Sequence, residues 1–257
     1  MLHTNESSVL EQIRQEMETI PGHTGFYYRN LVTGAEYSVR GDEAFGAASV
    51  IKLPMFLYIL REAAAGRMDM DEIVTVTEKD KVPICGALTL FTSPVQADVR
   101  TLCRLMISLS DNTATNKLIR HCGLENLQRG FAEMGMRTTQ IRRELFDREA
   151  SRRGVQNSIC PMEMGELLRQ VHEGAFGQEA LDVLGLQQIN HKLDGKLCGR
   201  VDILHKTGED DELSNDVGIV YAKEPFVACF AAHDTDVYRW EDLIRRGTYA
   251  LWEALES

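Results

Sequence analysis

Phe45-Gly46-Ala47-Ala48-Ser49-Val50-Ile51-Lys52 marks the place where the hydrophobic period of this 257-residue chain changes. On its N-terminal side, Gly25–Asn30 and Ala35–Val39 alternate as short strands about the turn Val32-Thr33-Gly34. Still earlier, Val9, Leu10, Ile13, Met17 and Ile20 recur at three- and four-residue steps, which predicts an amphipathic helix over residues 6–20. From Ser49 onward the spacing is helical until about residue 195. Segments near 98–109, 113–122, 124–134 and 161–173 each carry an apolar face, with Gly123, Gly135 and Gly174 as stops and Pro161 as a start. Beyond that, Val201–His205, Val217–Ala222 and Phe226–Ala232 read as strands, and a helix over 238–255 closes the chain. The order predicts an α/β (α+β) fold. One antiparallel sheet is assembled from both chain ends, helices flank it, and an all-α lobe is inserted. The expected division is residues 1–47 plus 192–257 for the sheet lobe and 48–191 for the helical lobe. The two form one structural unit with the active site between them.

Ser49 and Lys52 are three apart at the start of a helical stretch, so both side chains fall on one face. A serine hydroxyl is a weak nucleophile until a neighbouring base takes its proton. A lysine can be that base where burial or a cationic neighbour keeps it neutral. A helix N-terminus adds backbone N–H groups for a developing oxyanion. Two further signals lie downstream. Ser110-Asp111-Asn112 separates two helical segments, and Lys206-Thr207-Gly208 follows the strand at 201–205. Each signal alone has an ordinary reading: a solvated first turn, a pair of helix caps, and the charged end of an edge strand.

Together, and in this order, S-x-x-K, S-D-N and K-T-G resemble the motif set of class A β-lactamases and penicillin-binding proteins. Leu105–Leu109 before the second motif, Thr113–Ile119 after it and Asp216–Val220 beyond the third extend the resemblance over nearly the whole chain. It implies the β-lactamase/transpeptidase-like fold and acyl transfer through an ester on Ser49, with β-lactam hydrolysis as the expected reaction. Lys52 would accept the Ser49 proton, and Ser110 would relay a proton to the lactam nitrogen. Asn112 would hold the substrate's side-chain amide, and Lys206 and Thr207 its carboxylate. The backbone N–H groups of Ser49 and Glu209 would form the oxyanion hole. The alternatives are a penicillin-binding-type peptidase or esterase that deacylates slowly, and a binding module without turnover. Serine glutaminases share the fold but carry neither S-D-N nor K-T-G.

The chain also departs from the pattern. Class A enzymes activate the deacylating water with a Glu on a loop before a Pro-initiated helix. At a similar distance before Pro161 stands Glu144, but Arg148 replaces the Asn that normally follows four residues later. Leu145–Ala150 and Gly154–Asn157 look more like the divergent, β-lactamase-like intracellular branch, whose loop is rebuilt. Glu144 is therefore read either as a deacylation base or as a surface carboxylate paired with nearby arginines. Cys103 resembles one end of a disulfide found in some class A members, but Phe56 occupies its partner position.

The balance of 28 Lys and Arg against 39 Asp and Glu gives a net charge of −11, which argues against a nucleic-acid partner. No apolar run reaches a membrane span, and the start MLHTNESSVLEQIRQEM lacks a basic n-region and an apolar h-region, so a cytoplasmic protein is expected. Six scattered cysteines fit free thiols. No metal-ligand spacing or phosphate loop appears. His205 and His233 read as ordinary strand-end side chains, and no cofactor is expected. The expected partner is a small-molecule substrate, and the sequence carries no sign of oligomeric state.

Overall fold

The computed structural model describes residues 2–256. Helix α1 (Thr4–Met17) leads into β1 (His23–Asn30) and β2 (Glu36–Val39), which pair antiparallel across the turn read from the sequence. A two-residue strand β3 (Phe45–Gly46) and a 3-10 turn (Ala48–Ile51) then deliver the chain to α2 (Lys52–Ala64). The inserted region continues with β4 (Ile73–Val76), β5 (Val95–Asp98), α3 (Val99–Ser108), α4 (Asn112–Cys122), α5 (Leu124–Glu133) and α6 (Arg148–Arg152). It ends with β6 (Ser158–Ile159), α7 (Pro161–His172) and α8 (Gln178–Leu184). Strands β7 (Ile203–Asp210), β8 (Leu213–Val220) and β9 (Phe226–His233) and helix α9 (Val237–Glu256) complete the fold.

The main sheet runs β2-β1-β9-β8-β7, antiparallel throughout, so strands from both ends of the chain meet in register at β1 and β9. One face buries Phe26, Tyr28 and Phe230 under α1 and α9, which contribute Leu10, Ile13, Trp240, Ile244 and Leu251. The other face packs on the helical insert through a core that includes Val50, Leu53, Phe56, Met106, Leu118 and Leu168. Burying such side chains removes apolar surface from water at roughly 25 cal/mol per Å². It fixes α2 and α4 against each other and against the sheet, and their N-termini carry Lys52 and Asn112. Among the described residues, no helix is long and apolar enough to cross a membrane.

Three local readings are refined. The insert is mainly helical, but β4 and β5 form a two-stranded ribbon within it, as the β-branched run Ile73-Val74-Thr75-Val76 favours. Strands β3 and β6 form a second, two-residue ribbon beside the Ser49 turn. Strand β7 does not stop at His205 but runs on to Asp210, so Lys206, Thr207 and Gly208 lie within it. Strand β8 correspondingly starts at Leu213, and the polar residues Ser214, Asn215 and Asp216 are fully buried strand positions.

Candidate active site

Ser49 sits half-buried on the 3-10 turn, one turn ahead of Lys52, and β7 lies alongside. Gly208 makes this approach possible. A Cβ there would stand 3.1 Å from the Ser49 amide nitrogen and 3.0 Å from that of Val50. The edge strand and the Ser49 backbone are thus in direct contact. Asn215 ties the same turn to the sheet by donating to the carbonyls of Gly46 (2.8 Å) and Ala47 (3.2 Å) while accepting from the Ala232 N–H.

Lys52 opens α2 and is fully buried. Its Nζ donates to the Ser110 carbonyl (2.8 Å) and the Asn112 Oδ1 (2.7 Å) and lies 2.9 Å from the Ser110 hydroxyl. Burial, and then the charge of Lys206, hold its amine well below the usual lysine range. In the neutral form, two hydrogens serve the two carbonyl-type oxygens and the lone pair is left to the Ser110 hydroxyl. Among the described residues, Lys52 and Ser49 share no hydrogen bond: the amine is turned toward the S-D-N loop.

Ser110 adopts φ +53 between α3 and α4, and its hydroxyl also takes the Lys206 ammonium at 3.2 Å. Lys206 is fully buried and also donates to the Thr207 carbonyl (3.0 Å). Burial lowers it to about 7, against the opposing pull of the Asp216 carboxylate. Two lysines from distant parts of the chain therefore share one serine hydroxyl. The middle residue of the motif does the capping work. Asp111 accepts from the Ala114 N–H at the start of α4 and from the Leu88 N–H, both at 2.9 Å. Asn112 donates to the Ile84 carbonyl at 2.7 Å. The segment between β4 and β5 is stitched to the S-D-N loop in this way.

Thr207 is buried, in register with Asp216 on β8. Burial alone would raise the Asp216 carboxyl, but the adjacent His205 imidazole, 2.9 Å away, keeps it below the usual range. His205 is thus a partnered sheet residue, as read from the sequence. Glu209 follows Gly208, and its side chain pairs with Lys192 at 2.9 Å, away from Ser110. Lys192, a fully buried cation beside the K-T-G strand, was missed in the sequence, as was Asn215. Neither has a motif around it, and only the fold brings each to the site.

Glu144 lies in a bidentate ion pair with Arg120 (2.9 and 2.6 Å), with no hydrogen bond to Ser49 or Lys52 among the described residues. Asn116, one turn beyond Asn112 on α4, instead holds the backbone of Leu145. All six cysteines are free, and burial pushes the Cys103 thiol well above its usual range. An 840 Å³ cleft lined by Leu181, Asp194, Arg200, Asp202 and Trp252 lies elsewhere and includes neither Ser49, Lys52, Ser110 nor Lys206.

A serine hydroxyl on a helix-leading turn, a depressed lysine and a second serine hydroxyl between two buried amines are the groups that acyl transfer requires. A family model described as the beta-lactamase enzyme family matches residues 8–255. The chain belongs to that family. A β-lactamase of Rhodobacter capsulatus is 26% identical over 247 residues, covering 92% of this chain and 84% of the relative. The solved structure of PBP-A is 28% identical with a TM-score of 0.87, covering 97% of this chain and 96% of that one. A leucine-to-glutamate mutant of PBP-A, solved as an acyl-enzyme complex with penicillin G, superposes equally well. The fold and family together make this chain a serine β-lactamase-like hydrolase.

Proposed function

We propose that this β-lactamase-family chain forms an ester at Ser49 with a β-lactam, or a related small amide or ester, and releases it slowly. The observation that carries this reading is the Lys52–Ser110–Lys206 network. The neutral Lys52 amine turns from the Ser110 hydroxyl to Ser49 and takes its proton as the hydroxyl oxygen bonds to the substrate carbonyl carbon. The N–H groups of Ser49 and Glu209 receive the oxyanion. As the tetrahedral adduct collapses, the carbon–nitrogen bond breaks, and Ser110 gives its proton to the leaving nitrogen and is refilled from Lys52. One proton thus travels from Ser49 to the nitrogen. Lys206 and Thr207 face the substrate's carboxylate, or the neutral group that stands in its place, and Asn112 faces its side-chain amide.

Deacylation needs a base for water. The pairing of Glu144 with Arg120, and the presence of Leu145 at the Asn116 clamp, support weak net hydrolysis, which is the behaviour of a penicillin-binding protein. The free thiols support the cytoplasmic setting expected from the sequence. In that setting the physiological substrate is a small amide or ester rather than a cell-wall peptide. The test is a time course of intact mass after mixing with benzylpenicillin. Wild type gains a long-lived adduct that Ser49→Ala lacks; absence of any adduct would overturn the reading.

A further inference from the structure

Alternation along β7 puts Thr207 and Glu209 on one face, next to a charge cluster that the acyl transfer leaves unused. Its centre is the fully buried Lys192, whose ammonium donates to Ser214 Oγ (3.1 Å) and pairs with Glu209 (2.9 Å) and, more loosely, with Glu241 (3.9 Å). His191 lies 3.3 Å from Glu209 and 3.6 Å from Glu241, and its bond to Glu241 holds the imidazole above its usual range. His191, Glu209 and Glu241 are close enough to share a metal ion, but Lys192 already supplies their cation. Glu209, with nearly half of its side chain exposed, closes the cluster on its solvent side.

The placement matters because Gly208, between Thr207 and Glu209, touches the Ser49 backbone. An anion seated at Thr207 beside the Ser49 ester lies about 7 Å along the strand from the Glu209 position. That distance is inside the Debye length of about 8–10 Å at ordinary salt. Such an anion meets a fixed negative charge, and the nearest further cation is already neutralised.

We propose that Glu209 is a specificity residue that disfavours anionic substrates. Its carboxylate occupies the Lys192 ammonium, which would otherwise draw a substrate carboxylate to Thr207, and it also repels that carboxylate directly. The preferred substrates carry a neutral group, an ester or an amide, where a penicillin carries its carboxylate. This inference rests on acylation at Ser49.

The experiment compares benzylpenicillin with its uncharged methyl ester, reading the acylation rate of each by intact mass in wild type, Glu209→Gln and Glu209→Lys. The acid-to-ester rate ratio rises about tenfold in Glu209→Gln and further in Glu209→Lys, as expected for removing and then reversing one nearby charge. A ratio that is unchanged or lower in both variants, with wild type still acylated, overturns this inference alone. Wild type acylated by neither compound overturns the Ser49 reading and this inference with it.

Discussion

Asn116 grips Leu145 by both of its backbone groups: its Nδ2 donates to the Leu145 carbonyl at 2.9 Å, and its Oδ1 accepts the Leu145 N–H at 2.8 Å. Asn112, one turn earlier on α4, holds Lys52. The clamp therefore ties Leu145 to α4 one helical turn beyond the residue that holds the Lys52 amine. The neighbouring Glu144 is drawn off to Arg120. If deacylation is slow as proposed, a carboxylate at position 145 is placed to act as the base for water. Leu145→Glu is expected to shorten the lifetime of the penicillin adduct at least about tenfold, since a positioned general base contributes ~10²–10⁴-fold. Arg120→Ala, which frees Glu144 without moving it to the clamp, should change that lifetime far less. Adduct decay followed by intact mass checks both.

In the proposed mechanism the two buried lysines set opposite limbs of the pH profile. Acylation needs Lys52 neutral, and its amine is held well below the usual range, first by burial and then by Lys206. The rate therefore climbs with pH as Lys52 loses its proton. Binding of a carboxylate needs Lys206 charged, and burial brings that ammonium to about 7. The rate with an anionic lactam accordingly falls as pH rises through about 7. Removing the like charge in Lys206→Ala lets Lys52 hold its proton to higher pH, which moves the rising limb upward and abolishes the falling one. Acylation rates of both proteins from about pH 4 to pH 10 test this, the rate of proton transfer tracking the protonation state of the base.

Asp111 makes the S-D-N loop a structural joint as well as a chemical one. Its carboxylate caps α4 and takes the Leu88 N–H in a fully buried position, and Gly86, at φ +106, passes so close that a Cβ would stand 2.2 Å from it. Asp111→Ala forfeits the cap and leaves a buried N–H unpaired, an expected loss of about 1–3 kcal/mol of stability. Gly86→Ala meets both the steric clash and the strained φ, at a similar cost of about 1–3 kcal/mol. Both should lower the midpoint in urea without changing the slope.

The candidate site was more legible in the sequence than the strands that carry it. Ser49, Lys52, Ser110 and Lys206 stand out as candidates because the acyl transfer proposed for them needs particular residue types at particular spacings. The end of β7 did not, because Lys206 and Thr207 break the apolar run, though both are buried strand positions in the fold. The start of β8 was hidden in the same way by Ser214, Asn215 and Asp216, which are polar but fully partnered. Glu144 shows the limit of counting along a chain. Its distance from Pro161 matches that of a base, but a single arginine from α4 decides where its carboxylate goes. Lys192 could not be read at all, since a lone lysine has no periodicity and its burial depends on α9 and β8 closing over it.

The contact between β7 and the Ser49 turn offers the sharpest separation of geometry from stability. Gly208 has no need of a left-handed backbone; it is required for space alone. A methyl group there would press on the amide nitrogens of Ser49 and Val50 and the Ala47 carbonyl at 3.0–3.1 Å, so either the strand or the turn must give by a few tenths of an ångström. The groups displaced are the Ser49 N–H and the strand that carries Glu209, the two sides of the proposed oxyanion hole. Sub-ångström errors there act on the transition state far more than on folding, and misplacement by about 1 Å can cost ~100-fold in rate. Gly208→Ala is therefore expected to slow acylation by roughly 10–100-fold while its thermal midpoint stays near that of wild type. A variant that loses stability in step with its rate would mean that Gly208 serves the packing of β7 rather than the reaction.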